Sequence, residues 1–281
     1  MDSRIALFRE AVLDYYGKSG RNTLPWRVNT APWPVLVSEF MLQQTQIERV
    51  IPYWERWTGI WPRPVDLADA PLADALREWS GLGYNRRGRF LWECARHIAD
   101  KCGGVVPDTP ARLVTLPGVG PYTAGAVACF AFNHPAVFIE TNIRAALIHF
   151  FFADRERVHD AELTGILQES LDGEDNPRVW YWALMDYGAA LKKAAPNPNR
   201  RSAHYTCQSR FEGSFRQRRG TILRSLVSEG PASAETLAER TGIAPEHLYD
   251  ALAALEKDFM IISDSGAYSA GHEQRSINNE E

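Results

Sequence analysis

The sequence predicts an all-α body followed by a smaller module of different composition. Helix-like spacing of apolar residues recurs in eight segments before residue 192, alternating strand patterns are scarce, and the character of the chain changes after about Gly213. The 281 residues are enough for a core plus one appended module. Hydrophobic residues make up 45% and charged residues 23%, a balance that argues against long disorder.

In chain order, the helical patterns are Ile5–Tyr16, Trp33–Trp57, Leu72–Trp79, Arg87–Lys101, Thr123–Phe132, Thr141–Phe151, Ala161–Leu171 and Val179–Leu191. Pro25, Pro32, Pro62, Pro64, Pro71, the Gly81-x-Gly83 turn, Gly103-Gly104 and Pro117-Gly118-x-Gly120 punctuate them, and Asp108-Thr109 before Pro110 reads as a helix cap. No internal repeat is visible. Beyond Gly213 the spacing predicts a basic helix Phe215–Ser228, a break at Gly230-Pro231, a helix Ala234–Arg240 capped by Ser233, and a helix Pro245–Lys257. Phe259–Ser263 and Ala267–Ala270 then flank the turn Asp264-Ser265-Gly266, so the module reads as a winged helix-turn-helix. Its recognition-helix position, Pro245–Lys257, is acidic and repels phosphates, so packing or docking through the basic first helix is as good a reading as groove entry. The tail 271–281 reads as disordered.

The formal net charge is -4 and the isoelectric point about 6.0, which disfavours a nucleic-acid partner unless positive charge is concentrated locally. It is concentrated. Lys192, Lys193, Arg200, Arg201, Arg210, Arg216, Arg218, Arg219 and Arg224 face Glu212 as the only acid of that stretch, and Arg86, Arg87 and Arg89 form a second cluster. Such runs by themselves are usually solvated faces. The four cysteines (Cys94, Cys102, Cys129, Cys207) include no Cys-x-x-Cys pair, and neither a signal peptide nor an apolar spanning run is visible, so a reduced, cytoplasmic protein with no membrane partner is expected.

The string Leu116-Pro117-Gly118-Val119-Gly120-Pro121-Tyr122-Thr123-Ala124 lies between two helical patterns. Glycines two apart let the backbone turn sharply and approach a ligand with its N–H groups, and the following helix aims its N-terminal donors the same way. Gly118, Val119, Gly120, Tyr122 and Thr123 therefore read as a phosphate site on duplex DNA, flanked by Arg86, Arg87, Lys192, Lys193, Arg200 and Arg201.

This string resembles the hairpin of the endonuclease III-like helix-hairpin-helix DNA glycosylases. Leu24-Pro25-Trp26-Arg27, Ser38-Glu39-Phe40-Met41-Leu42-Gln43-Gln44-Thr45-Gln46 and Gly81-Leu82-Gly83-Tyr84 resemble the adenine DNA glycosylase branch of that superfamily. The likeness runs from about residue 20 to 190. It implies a two-lobed helix-hairpin-helix glycosylase core, with residues 1–24 and 136–212 forming a discontinuous lobe, 25–135 the hairpin-bearing lobe, and 213–270 the winged module.

Breaking a base–sugar bond requires a proton for the leaving base, stabilisation of positive charge on the sugar, and extrusion of the nucleotide from the stack. From periodicity alone Glu39 reads as a solvent-facing helix residue; the resemblance instead makes it the general acid. The family stabilises the sugar cation with an aspartate where this chain has Glu140, followed by Thr141; the longer side chain shifts the carboxylate by roughly 1 Å, a displacement that can cost on the order of a hundredfold in rate. Tyr122 stands where lyase-active relatives carry lysine, and a phenol forms no Schiff base, so a monofunctional enzyme is expected. By the same resemblance, Gln43, Gln44 and Tyr84 enter the duplex beside the flipped nucleotide, and Trp26, Arg27, Gln46 and Asp186 line the base pocket; Trp26 reads equally well as core.

Two family features are missing. The four-cysteine iron–sulfur loop should follow Leu191, but the chain there reads Lys192 to Arg201 with Cys207 alone afterwards, so no cluster and no other metal is expected, although the hairpin suits a monovalent cation. The 8-oxoguanine-sensing C-terminal domain is replaced by the winged module. The expected function is a monofunctional, monomeric, nucleoid-associated base-excision glycosylase acting on duplex DNA, with adenine in a mispair as the leading target. Thymine or uracil opposite guanine, hypoxanthine, an alkylated base, or non-catalytic damage binding remain alternatives.

Overall fold

A computed structural model describes residues 3–194, 196–206 and 210–271. Residues 272–281 of the tail expected to be disordered lie outside the described residues, as does Cys207. The body contains α1 (Ser3–Ser19), α2 (Pro25–Val28), α3 (Pro32–Leu42), α4 (Ile47–Ile60), α5 (Pro64–Ala68), α6 (Leu72–Trp79), α7 (Arg86–Lys101), α8 (Pro110–Leu113), α9 (Pro121–Phe132), α10 (Thr141–Phe151), α11 (Asp160–Leu171), α12 (Pro177–Ala194) and a 3-10 turn at Pro198–Arg201. There follow α13 (Phe215–Glu229), β1 (Ala232–Ser233), α14 (Ala234–Thr241), α15 (Pro245–Lys257), β2 (Ile261–Asp264) and β3 (Ala267–Ala270).

The all-α expectation for the body holds, with one substantial correction. The pattern Trp33–Trp57 is two helices, not one, because the chain leaves helical geometry after Leu42 and Gln44 adopts a left-handed φ of 56°. Apolar residues fall at helical spacing on both sides of the break, so periodicity runs through it. The break is stabilised by Arg87, whose guanidinium donates to the carbonyls of Phe40 (2.9 Å), Met41 (2.9 Å) and Gln43 (2.6 Å). These include helix-end carbonyls that have no partner within the helix. The short α2, α5 and α8 each begin at a proline, where the missing N–H costs nothing. Thr109 takes the N-cap position of α8, but its side chain makes no capping hydrogen bond.

The chain divides into two compact units, Met1–Glu39 with Val106–Gln208, and Phe40–Val105 with Ser209–Glu281. The core of the first unit gathers Phe8 of α1, Phe150 and Phe151 of α10 and Trp180 of α12, with ring centroids 5.1, 5.1 and 5.8 Å from Phe8. Helices α10 and α12 meet at Gly188, where a β-carbon would lie 1.9 Å from the Asn142 carbonyl oxygen; only glycine allows this approach.

In the second unit, Trp57 packs on Trp61 and Trp79 at 4.7 and 5.6 Å. Leu72 and Leu76 of α6 share a buried cluster with Ile222, Leu223 and Leu226 of α13, Leu237 of α14, Leu248, Leu252 and Leu255 of α15, and Met260. The segment after residue 213, expected as a separate module, therefore shares its core with α6. Its three strands form an antiparallel sheet in the order β1-β3-β2, pairing Ala232 with Tyr268 and Ile261 with Ala270. The first terminal strand starts two residues later than its pattern, after Phe259 turns through a left-handed φ of 50°. Ser233 caps α14 as expected, accepting from the Thr236 N–H at 3.3 Å.

Candidate active site

In the first unit, three acidic or phenolic side chains from distant parts of the sequence come together. Glu39, in α3, is only 5% exposed although it carries a carboxyl group. Burial pushes its pKa up to about 7, and the Glu140 charge adds to the rise, while a hydrogen bond donated by the Tyr122 hydroxyl (3.3 Å) opposes it. A carboxyl group in this state holds its proton near neutral pH and can donate it. Tyr122 follows the first residue of α9, and its ring meets Phe138 edge-on at 5.7 Å. Burial and the two neighbouring carboxylates raise its own pKa, so it remains a neutral donor.

Glu140 is the N-cap of α10. One carboxylate oxygen accepts from the backbone N–H groups of Asn142 (2.6 Å) and Ile143 (2.8 Å), and the other from the Thr141 hydroxyl (3.0 Å) and the Asn142 amide (3.1 Å). Burial raises its pKa, and these donors and the Lys192 charge pull it back. The two carboxyls thus have different environments. Glu39 accepts from the Tyr122 hydroxyl and meets little solvent, whereas Glu140 sits at the positive end of a helix with four donors. Asn142 was not foreseen as a site residue, although Thr141-Asn142 after an apolar run is a helix-start signal.

The hairpin turns at Gly118, whose φ is +74°, and Gly120 is the N-cap of α9 with Pro121 behind it. The Val119 N–H closes the turn onto the Leu116 carbonyl at 3.1 Å and its side chain is buried, so Val119 shapes the hairpin rather than offering a donor. Thr123 is also buried; Lys193 and Arg200 are exposed, and Lys192 and Arg201 half-buried.

Other expected site residues have different local partners. Asp186 accepts from both terminal nitrogens of Arg27 (2.8 Å each), from the Arg21 backbone N–H (2.8 Å), and from the Arg21 guanidinium (2.8 and 2.5 Å). Arg27 also lies over the Trp182 ring at 5.3 Å, and Trp26 is buried. Arg27 and Asp186 therefore form a buried ion pair, with Arg21 as a further partner of Asp186.

In the second unit, Arg86 is exposed and lies 3.6 Å from Asp258, but Arg87 is buried and cannot reach a phosphate. Its guanidinium is engaged with α3's end, with the Thr45 hydroxyl (3.0 Å) and with the Gly83 carbonyl (3.1 Å), and burial lowers its pKa to about 10. Gln43 is half-buried, Gln44 and Gln46 exposed, and Tyr84 half-buried in a left-handed turn with φ 49°.

Cys94 and Cys129 are buried in α7 and α9, Cys102 ends α7, and the described residues contain no group of three or more His, Cys, Asp or Glu side chains placed to hold a metal. The 3-10 turn after α12 is held by hydrogen bonds, from the Asn199 amide to the Thr141 carbonyl (2.8 Å) and from the Val158 N–H to the Arg201 carbonyl (2.8 Å).

Residues 37–169 match the family described as HhH-GPD superfamily base excision DNA repair protein. The chain is 52% identical over 134 residues to adenine DNA glycosylase of Mycobacterium tuberculosis, covering 47% of this chain and 44% of that protein. It is 34% identical over 204 residues to adenine DNA glycosylase of Buchnera aphidicola subsp. Baizongia pistaciae, covering 72% and 58%, and 36% identical over 201 residues to that of Homo sapiens, covering 67% and 36%. The chain thus spans about half the length of the curated relatives it matches. Among solved structures, a thermostable thymine-DNA glycosylase superposes with a TM-score of 0.61 at 25% identity, covering 69% of this chain and 89% of that one. A non-covalent endonuclease III–DNA complex gives 0.55 at 21% identity, covering 66% and 85%, a likeness of fold. No helix among the described residues is long and apolar enough to cross a membrane.

Proposed function

We propose, from the match of residues 37–169 to the HhH-GPD superfamily of base excision DNA repair proteins, that the chain is a monofunctional DNA glycosylase removing adenine from a mispair. The observation that carries this reading is the buried Glu39, with a pKa of about 7, beside the Tyr122 hydroxyl. Glu39 gives its proton to a ring nitrogen of the extruded base, and the bond from the sugar C1′ to the base nitrogen breaks with its electrons leaving on the base. Glu140, held by four donors, faces the positive charge left on the sugar; water adds at C1′ and gives up a proton that restores the Glu39 carboxyl, and an intact abasic site remains.

Tyr122 cannot attack C1′ as an amine would, so strand breakage requires added alkali. The hairpin at Gly118 and Gly120 and the exposed Lys193 and Arg200 contact phosphates, and Gln43, Gln44 and Tyr84 enter the duplex. The order α13, β1, α14, α15, β2, β3 supports a winged helix-turn-helix reading of the C-terminal segment. The chain acts as a monomer, without an iron–sulfur cluster; bound iron or a visible absorption band in the purified protein would overturn the latter.

The test is a panel of duplex oligonucleotides, each with one mispair or lesion, incubated with the protein and then treated with alkali. Breakage at adenine in a mispair is expected. Absence of breakage on every duplex would favour a non-catalytic damage-binding protein, a reading supported by the full occupation of the Glu140 carboxylate by cap donors.

A further inference from the structure

The family match ends at residue 169, yet a residue of the C-terminal segment touches a loop of the matched region. In the second unit, Arg216, in the first turn of α13, donates from its Nη1 to the Tyr84 hydroxyl and places its guanidinium carbon 5.2 Å from the centre of the Tyr84 ring. Arg87 places its own guanidinium carbon 5.4 Å from the same ring. Cation–ring contacts at this range are attractive, and more so where water is reduced.

The turn carrying Tyr84 needs such support. Tyr84 has a left-handed φ of 49°, unfavourable for a side chain of its size. Gly81 and Gly83 precede it with φ of 104° and 79°. A β-carbon at Gly81 would lie 2.2 Å from the Tyr53 hydroxyl, so the turn is pressed on α4. Arg87 holds the Gly83 carbonyl on one side, and Arg49 donates to the Gly81 carbonyl.

Helix α13 is fixed against the same region. Leu223 and Leu226 are buried with Leu72 and Leu76, the Arg77 guanidinium donates to the Val227 carbonyl at 3.2 Å, and Asp258 pairs with Arg219 while its carbonyl accepts from Arg89. The position of Arg216 is therefore set by the packing of the whole C-terminal segment.

We propose that Arg216 is a positioning residue for Tyr84: together with Arg87 it holds the ring in the turn from which Tyr84 tests a base pair, so that the C-terminal segment contributes to mispair recognition through this contact. The inference rests on the reading of Tyr84 as a residue that enters the duplex. An arginine that acts through Tyr84 differs from one that binds a phosphate by itself, because its effect disappears when Tyr84 is gone.

The experiment is a double-mutant cycle with Arg216→Ala and Tyr84→Ala in the full chain. Its readout is the ratio of affinities, by fluorescence anisotropy at fixed salt, for a duplex with one adenine–guanine mispair and for the fully paired duplex. Each single variant is expected to lower this ratio, Arg216→Ala by about three- to tenfold, as expected for a contact of roughly 1 kcal/mol, and the double variant is expected to match Tyr84→Ala. Arg216→Lys, which keeps the charge but not the planar stack, is expected to recover part of the loss.

Equal additional loss from Arg216→Ala in the Tyr84→Ala background would overturn the proposal and identify a direct DNA contact. An unchanged ratio in Tyr84→Ala would instead remove the reading on which it rests. Should Arg216→Ala unfold, Arg216→Gln provides the same cycle, and an unchanged ratio in a folded Arg216→Gln also overturns it.

Discussion

Replacing Glu39 with glutamine should make the protein more stable, and by an amount that grows with pH. The carboxyl group ionises at 4.5 in an open chain and at about 7 in its buried site. Below 4.5 the group is neutral in both states and burial carries no ionic cost. Between 4.5 and 7 the unfolded chain ionises while the folded protein keeps its proton, so stability falls as pH rises; above 7 the loss is complete. The difference between the two values corresponds to about 3 kcal/mol.

Glutamine has nearly the same shape and no charge, so Glu39→Gln escapes this cost. For a chain of this size the gain corresponds to a rise in Tm on the order of 5–10 °C. The assay is thermal unfolding of both proteins at several pH values from 5 to 8.5. The difference in Tm is expected to be small at pH 5, to widen up to about pH 7 and to level off towards pH 8.5. A difference that is the same across the range would refute the assignment of Glu39 as a desolvated acid, whatever its sign.

Four further outcomes follow from the same geometry. Base excision by the unmodified protein should decline as pH rises through about 7, because the donor form of Glu39 is lost there; a rate flat to pH 9 under single-turnover conditions would contradict this. Tyr122→Phe removes a hydrogen bond that lowers the Glu39 pKa, so the declining limb should move to higher pH, read from the same rate profile. Asp186→Ala leaves the buried Arg27 without its carboxylate and should cost about 3–5 kcal/mol by denaturant titration, far more than loss of a surface charge. Gly188→Ala inserts a methyl group against the Asn142 carbonyl and should destabilise the first unit by about 1–3 kcal/mol or more, measurable in the same titration.

The sequence made some elements legible to the residue and others not at all, and the difference has physical causes. Leu72–Trp79, Thr141–Phe151 and Pro245–Lys257 have the same bounds in pattern and structure, because an amphipathic stripe is closed off by local signals at its ends. The break within Trp33–Trp57 depends on Arg87, some forty residues away, which accounts for the carbonyls freed there. Arg86 and Arg87 show the same limit for charge. Adjacent in sequence, one is exposed and the other is buried as a clamp, and no count of basic residues separates them.

The candidate site was partly legible in the same way. Glu39 has a surface periodicity, and its burial comes from packing that periodicity does not encode; the resemblance, not the pattern, singled it out. Asp186 and Arg27 were singled out by the same resemblance as base-pocket residues, and in the fold they form an ion pair. Glu140 was recognised as an altered aspartate, while its capping of α10 became visible only once the helix start was placed.

The most direct test of the account compares the unmodified protein with Glu39→Gln on one duplex holding a single adenine–guanine mispair. Cleaved product is measured after alkali, and binding is measured in parallel. The account predicts alkali-dependent breakage at the adenine by the unmodified protein, a loss of at least about a hundredfold in rate for Glu39→Gln, and unchanged affinity for the duplex. Breakage by Glu39→Gln at the original rate would contradict it.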